Sequence, residues 1–165
     1  MKVKNILIII VLVCLHASLN AQIEEKDSFK NRTFKERLTF NVGGGILFGT
    51  VTNVNILPQI GYRLTPRLTT GIGGNFQYFS DSRTPPIDFM IYGGNAFTRF
   101  TVDPRLFLQA EYQKLYYNNT NGDYVMVGGG FMPGAGFFIS AYYLLLYPPD
   151  NIYGQPFVIR GGFIF

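Results

Sequence analysis

The sequence predicts an all-β protein: an eight-stranded antiparallel up-and-down transmembrane β-barrel. Three observations carry that expectation. Residues 38–165 fall into eight runs of alternating apolar and polar residues, most about ten residues long, the length a tilted membrane-crossing strand needs. The connections between the runs alternate between tight turns and longer polar loops. The composition is 47% apolar but only 15% charged, where soluble domains carry about 25%. Nineteen Gly, 11 Tyr and 16 Phe, with no Trp, fit strands and turns.

The chain has 165 residues, one domain's worth. Lys2 and Lys4 precede a continuous apolar run, Ile6 to Leu15, and Ala17, Ser18, Asn20 and Ala21 follow it. This reads as a secretory signal peptide over 1–21, too short to span a bilayer as a helix. Cys14 would suit a lipoprotein cleavage site, but Val13 stands where a small residue is needed. Cleavage after Ala21 removes the only Cys and the only His, Cys14 and His16. It also trims the formal charge from +4 to +2, with no basic stripe, so no nucleic-acid partner is expected. Residues 22–37 are polar and of mixed charge, and read as a flexible periplasmic tail.

The expected strands are 38–48, 54–64, 68–79, 88–101, 105–117, 124–132, 136–147 and 156–165. Thr65-Pro66-Arg67, Val102-Asp103-Pro104 and Pro133-Gly134-Ala135 form the tight connections. Gly49 to Asn53, Ser80 to Ile87, Asn118 to Asp123 and Pro148 to Gln155 form the longer ones. An even strand number puts both termini at the tight-turn end, expected to be periplasmic.

Each strand has two faces, because side chains alternate with period two. Leu68, Thr70, Ile72, Gly74, Phe76 and Tyr78 oppose Thr69, Gly71, Gly73, Asn75 and Gln77. Leu106, Leu108, Ala110, Tyr112 and Tyr116 oppose Gln109, Glu111 and Gln113. Ile56, Pro58, Ile60, Tyr62 and Leu64 oppose Asn55, Gln59 and Arg63, and Phe157, Ile159, Gly161, Phe163 and Phe165 oppose Val158, Arg160, Gly162 and Ile164. The polar set also takes in Asn41, Asn95 and Arg99. A soluble core could not hold so many polar groups without a desolvation cost for each unpaired one. The apolar set is therefore expected to face lipid and the polar set a narrow lumen. The fourth and sixth strands leave their phase open by one residue.

Aromatics gather at strand ends. Phe48, Tyr78, Phe79, Tyr116, Tyr117, Tyr124 and Tyr147 would form a girdle near the longer loops. Phe40, Tyr62, Phe100, Phe131, Phe163 and Phe165 would form the other. Glycines inside strands, such as Gly73-Gly74 and Gly128 to Gly130, suit a tightly curved small barrel. None opens a helix and no P-loop Lys follows, so they are not read as phosphate-binding.

The chain stops on Gly161-Gly162-Phe163-Ile164-Phe165, and Gly61 to Leu68 reads strand–turn–strand. Both resemble small eight-stranded outer-membrane β-barrel proteins of Gram-negative bacteria, the OmpA and OmpX type. The resemblance covers 38–165 and is specific for location and architecture, not for activity. It implies an outer-membrane barrel in contact with lipid and lipopolysaccharide, exported by the secretion machinery and inserted by the barrel-assembly machinery. The latter would read Phe163 and Phe165 as an assembly signal. The short outer loops depart from adhesive members, and no peptidoglycan-binding domain is expected.

Barrel lipases and deacylases of this kind pair a Ser with a His, and after signal removal no His remains. Asp81, Asp88, Asp123 and Asp150 read as turn residues rather than a carboxylate cluster. No catalytic residue, metal site or cofactor is expected, and the protein is read as a non-enzyme and a monomer. The one constellation is internal: Glu111 is the only acid at an inward strand-interior position. It should contact an arginine, Arg160 above all, with Arg63 and Arg99 nearer the periplasmic end. An unpaired charge in a confined lumen is costly, so the expected set is a lumen ion pair acting as a plug. The expected role is a porin-like envelope component, structural or interacting with the cell envelope. The alternatives are a narrow channel for ions or small solutes and a secreted, lipocalin-like ligand carrier.

Overall fold

The computed structural model describes residue 29 and residues 31–47, 51–82, 87–149, 152–153 and 156–165. The expected signal segment, Phe48 and parts of three loops lie outside these. Eight strands follow in chain order: β1 (Leu38–Leu47), β2 (Val51–Arg63), β3 (Leu68–Asp81), β4 (Ile87–Asp103), β5 (Leu106–Tyr117), β6 (Thr120–Gly134), β7 (Phe137–Leu146) and β8 (Phe157–Ile164). Each pairs antiparallel with the next, and β8 pairs with β1, closing the barrel. Closure removes sheet edges, the condition for a sheet to sit in hydrocarbon where no water can satisfy its backbone.

The barrel is apolar outside and largely polar inside. Ile56, Ile60, Ile72, Phe76, Leu108, Ile139 and Ile159 are exposed, while Asn41, Gln59, Asn75, Gln77, Asn95, Gln109 and Gln113 are buried. A soluble barrel shows the opposite distribution. This inside-out arrangement makes the fold a transmembrane β-barrel. The fourth and sixth strands now have a defined phase, with Ile91, Asn95, Phe97 and Arg99 inward on β4 and Tyr124 and Met126 inward on β6. The interior is also more layered than a uniformly polar lumen. Ile91, Leu115, Tyr124, Met126, Tyr142 and Leu144 form an apolar cluster toward the longer loops. Phe97, Phe107 and Phe138 surround Arg99 lower down.

Local chemistry sets the connections. In the β2–β3 turn the Thr65 hydroxyl accepts a bond from the Leu68 N–H at 2.9 Å. At the β4–β5 turn Asp103 caps the Arg105 N–H at 2.8 Å. The expected long loop at Asn118–Asp123 is instead a two-residue hairpin, with Tyr117 facing Thr120. Asn118 and Asn119 have φ of 45° and 61°, the left-handed conformation a tight hairpin turn demands and asparagine tolerates. The expected loop at Gly49–Asn53 is likewise shorter, because β2 begins at Val51. The β7–β8 connection is long, and Ile152 and Tyr153 pack back onto the interior apolar cluster.

The opposite tight turn is strained. Ala135 has φ 51° and Gly136 φ 75° between β6 and β7. A side chain costs about 1–2 kcal/mol there. Ala135→Gly is expected to stabilise the barrel by about 1 kcal/mol, read as a raised urea midpoint with an unchanged m-value.

The girdles need one correction. Tyr78, Tyr116 and Tyr147 are exposed at the longer-loop end, but Tyr117 and Tyr124 are buried and Phe79 packs on the interior cluster. Tyr116 already faces out, so the pleat turns Tyr117 inward. At the other rim Phe40, Phe131, Phe163 and Phe165 are exposed. Lys114 and Asp123, paired at 3.2 Å on the outer face of β5 and β6, mark the polar limit of the apolar belt. Before β1, Lys35–Arg37 forms a 3₁₀ turn, and the Phe34 ring packs tilted against Tyr62, 5.3 Å between centres.

Some glycines make room for inward rings. A Cβ on Gly130 would overlap the Phe107 ring, and one on Gly61 would sit 2.6 Å from Thr39 Oγ1 and 2.8 Å from Thr69 Cγ2. Gly130→Ala is therefore expected to cost about 1–3 kcal/mol by overpacking, measured by urea unfolding in lipid vesicles.

Candidate functional site: the lumen network

β5 supplies the centre. Its inward row is Phe107, Gln109, Glu111, Gln113, Leu115 and Tyr117, all buried. Glu111 and Gln109 face into the barrel from the strand beside β4, and Arg160 enters from β8 across the lumen. Arg160 Nη1 lies 3.1 Å from both carboxylate oxygens of Glu111. The pair is almost sealed, with Glu111 2% and Arg160 4% exposed. Such a pair persists in a low dielectric only when its remaining hydrogen-bonding capacity is met.

Carboxamides meet that of Glu111. Gln109 Nε2 donates to Glu111 Oε2 at 2.9 Å, and Gln113 Nε2 donates to Glu111 Oε1. Gln113 Oε1 accepts from Asn75 Nδ2 at 3.4 Å and from the Tyr153 hydroxyl at 2.7 Å. Arg160 Nη2 contacts Met126 Sδ at 3.3 Å, and its guanidinium lies 5.0 Å from the Tyr142 ring. Burial raises the Tyr153 phenol's pKa, which keeps the hydroxyl a donor. The network thus crosses the lumen from β3 through β5 to β8 and is tied at the top by a loop residue.

Of the other expected residues, Arg99 joins indirectly. Its Nε donates to Gln109 Oε1 at 2.8 Å, and Gln109 bonds Glu111. Its charge also sits 4.5 Å over the Phe107 ring. Arg63 is half-buried at the end of β2, and among the described residues no bond joins it to Glu111. Phe163 and Phe165 lie on the outer rim, 6.3 Å apart between ring centres. The sequence pattern does not reveal three participants: Tyr153, Met126 and Ser140, whose hydroxyl donates to the Arg160 carbonyl at 3.4 Å. Tyr153 comes from a loop, where no periodicity shows which way a side chain points. Met126 was hidden by the open phase of β6.

The opposite wall is different. On β1–β3, Asn41, Asn55 Oδ1 and both polar atoms of Gln77 are buried without a hydrogen-bond partner among the described residues. Gln59 and Asn95 do bond, at 3.1 Å.

No family model and no curated protein matches this chain. Three solved structures resemble it. Two are de novo designed transmembrane β-barrels, at 16% and 15% identity and TM-scores of 0.42 and 0.45, each covering 78% of this chain and 92% of theirs. The third is the outer membrane protein Ail of Yersinia pestis in a phospholipid bilayer nanodisc. It shares 13% identity over 78% of this chain and 97% of its own, with a TM-score of 0.48.

Chemically, the network can fix strand register and block the lumen. Its acid is neutralised, both carboxylate oxygens of Glu111 are occupied, and each donor to Glu111 comes from a separate residue on the barrel wall.

Proposed function

We propose that this chain is a non-enzymatic integral outer-membrane β-barrel whose lumen is closed by its own side chains, with a structural or envelope-interaction role. The Glu111–Arg160 pair and its carboxamide supports carry the reading. Eight strands leave an interior that side chains can fill, and here a sealed ion pair occupies the middle of it. Residues 1–21 act as a signal peptide and 22–37 as a periplasmic tail, with both termini in the periplasm. Phe163 and Phe165 serve assembly, and the apolar belt contacts lipid and lipopolysaccharide as a monomer. The non-enzymatic reading rests on the sequence, which keeps no His or Cys after residue 21.

A second reading, a narrow channel for ions or small solutes, draws on the unpartnered carboxamides of β1–β3, which suit bridging water. Planar-bilayer recording separates the two. The closed barrel is expected to show no stable conductance steps. Steady steps that grow in Glu111→Gln would favour the channel.

A further inference from the structure

Two of the inward arginines are not neutralised by the plug. Glu111 and Arg160 cancel each other at 3.1 Å. Arg99 reaches that carboxylate only through Gln109, and no bond among the described residues joins Arg63 to it. The ion pairs among the described residues are Glu111–Arg160 and Lys114–Asp123, so neither arginine has an acid of its own there. Arg99 is 6% exposed, which places its charge inside the barrel. The rings of Phe97, Phe107 and Phe138, at 4.5–5.7 Å, offset part of that charge but carry no formal charge themselves. An uncompensated charge in a confined interior calls for a counterion.

The register brings the two arginines to one place. Arg63 faces Thr69 across β2 and β3, and Thr69 faces Arg99 across β3 and β4. The three form one row near the tight-turn end, and its backbone spans two strand spacings, about 10 Å. Two long side chains can converge on one small ion over that span. Parity turns the row inward. Thr69 and Arg99 are buried, and Arg63 ends the β2 face that carries buried Gln59 and Gly61. Arg63 itself is half-buried, so water reaches this end of the lumen, while Gln109 and Glu111 close it beyond Arg99. Arg99 spends Nε on Gln109 at 2.8 Å. Its Nη1 and Nη2 make no hydrogen bond among the described residues, yet they are not among the sealed, unpartnered polar atoms, which include Arg160 Nε. Both therefore stay open to solvent. Arg37, just before β1, is engaged by the Phe29 carbonyl and ring.

We propose that this row is an anion site, in which Arg99 and Arg63 hold one doubly charged oxyanion, hydrogen phosphate or sulfate, taken from the water at the tight-turn end. Two negative charges match the two positive ones left over, and paired oxygens fit the planar N–H fork of a guanidinium. The site lies on the open side of the plug and depends neither on the lumen's conductance nor on the envelope role.

The test is NMR of arginine side chains and backbone amides of the folded protein in phosphatidylcholine nanodiscs. Sodium phosphate and sodium sulfate are titrated against sodium chloride of equal ionic strength. Each oxyanion should give saturable shifts at Arg99 Nε–H, Arg63 and Thr69. Phosphate should bind more weakly in mildly acidic than in mildly alkaline solution, because it takes up a proton and loses its second charge. Sulfate, doubly charged throughout, should not. Arg63→Gln should weaken sulfate binding about tenfold, the value of one charge-assisted hydrogen bond. Arg99→Gln should weaken it at least as much and still give the heat-modifiable gel band, since it removes a charge that no acid pairs. If that variant fails to fold, Arg63→Gln decides alone. Lys114→Gln, at the other end of the barrel, should keep wild-type affinity. Shifts that chloride reproduces, phosphate binding that ignores pH, or wild-type affinity in Arg63→Gln would each overturn the proposal.

Discussion

Glu111→Gln is expected to destabilise the folded barrel by about 3–5 kcal/mol, the range for breaking a buried ion pair from one side. The substitution keeps the shape but removes the charge that Arg160 Nη1 meets at 3.1 Å. It also replaces one acceptor oxygen by an NH₂ group. Gln109 and Gln113 both point donors at Glu111, so one donor would face another donor. Arg160 cannot escape to water, because its side chain comes from mid-β8 into a sealed interior. Restoring balance by a second change, Arg160→Met, should recover much of the loss, since apolar replacement of a whole buried pair is often neutral. The readout is urea unfolding in vesicles, followed by the unboiled gel band. An unchanged midpoint in Glu111→Gln would remove the ion pair from the account of stability.

Ile72→Arg is expected to cost about 2–4 kcal/mol in a bilayer, the range for a basic residue at mid-depth on a lipid-facing strand. Ile72 is 70% exposed and stands in the middle of the outer row Leu68 to Tyr78 of β3. In water an exposed Ile-to-Arg change is nearly neutral. The size of the effect therefore reports directly on what the outer face touches. Asn121→Arg, at the exposed hairpin tip, provides the contrast and should shift stability by no more than about 0.5 kcal/mol. Equal small effects at both positions would mean that Ile72 faces water.

Much of this arrangement is legible in the sequence because period-two alternation is a rigid rule. Once Leu106, Leu108 and Tyr112 face lipid, Gln109, Glu111 and Gln113 must face inward, and the lone acid among them must seek a cation. Arg160 follows from the alternation of Phe157, Ile159 and Gly161. What the alternation does not show is the register between strands, so it puts Arg63 and Arg99 inward and nearer the periplasmic end without telling whether either reaches Glu111. Arg99 pairs in register with Gln109, not Glu111, and reaches the acid through that residue. Aromatics at strand ends misled for a related reason. Tyr117 and Tyr124 end their strands like girdle residues, yet parity turns both into the lumen, where they pack with Leu115 and Met126. Bulges add a further limit. The irregularity opposite Val125 lets Leu144 face in and Leu146 face out with Leu145 between them at a shifted register, which period counting alone does not place. Pro58 sits in β2 where the ladder to β3 is interrupted, because it has no N–H to give.

The central claim is that the apolar rows meet lipid and the polar rows fill a closed barrel. The most direct measurement fractionates cells expressing the full-length chain and runs the membrane sample on a gel, boiled and unboiled. A band in the outer-membrane fraction that migrates differently before boiling is the result expected of a closed transmembrane barrel. A protein recovered soluble from the periplasm, with the same mobility in both lanes, would contradict it and make the apolar rows a core.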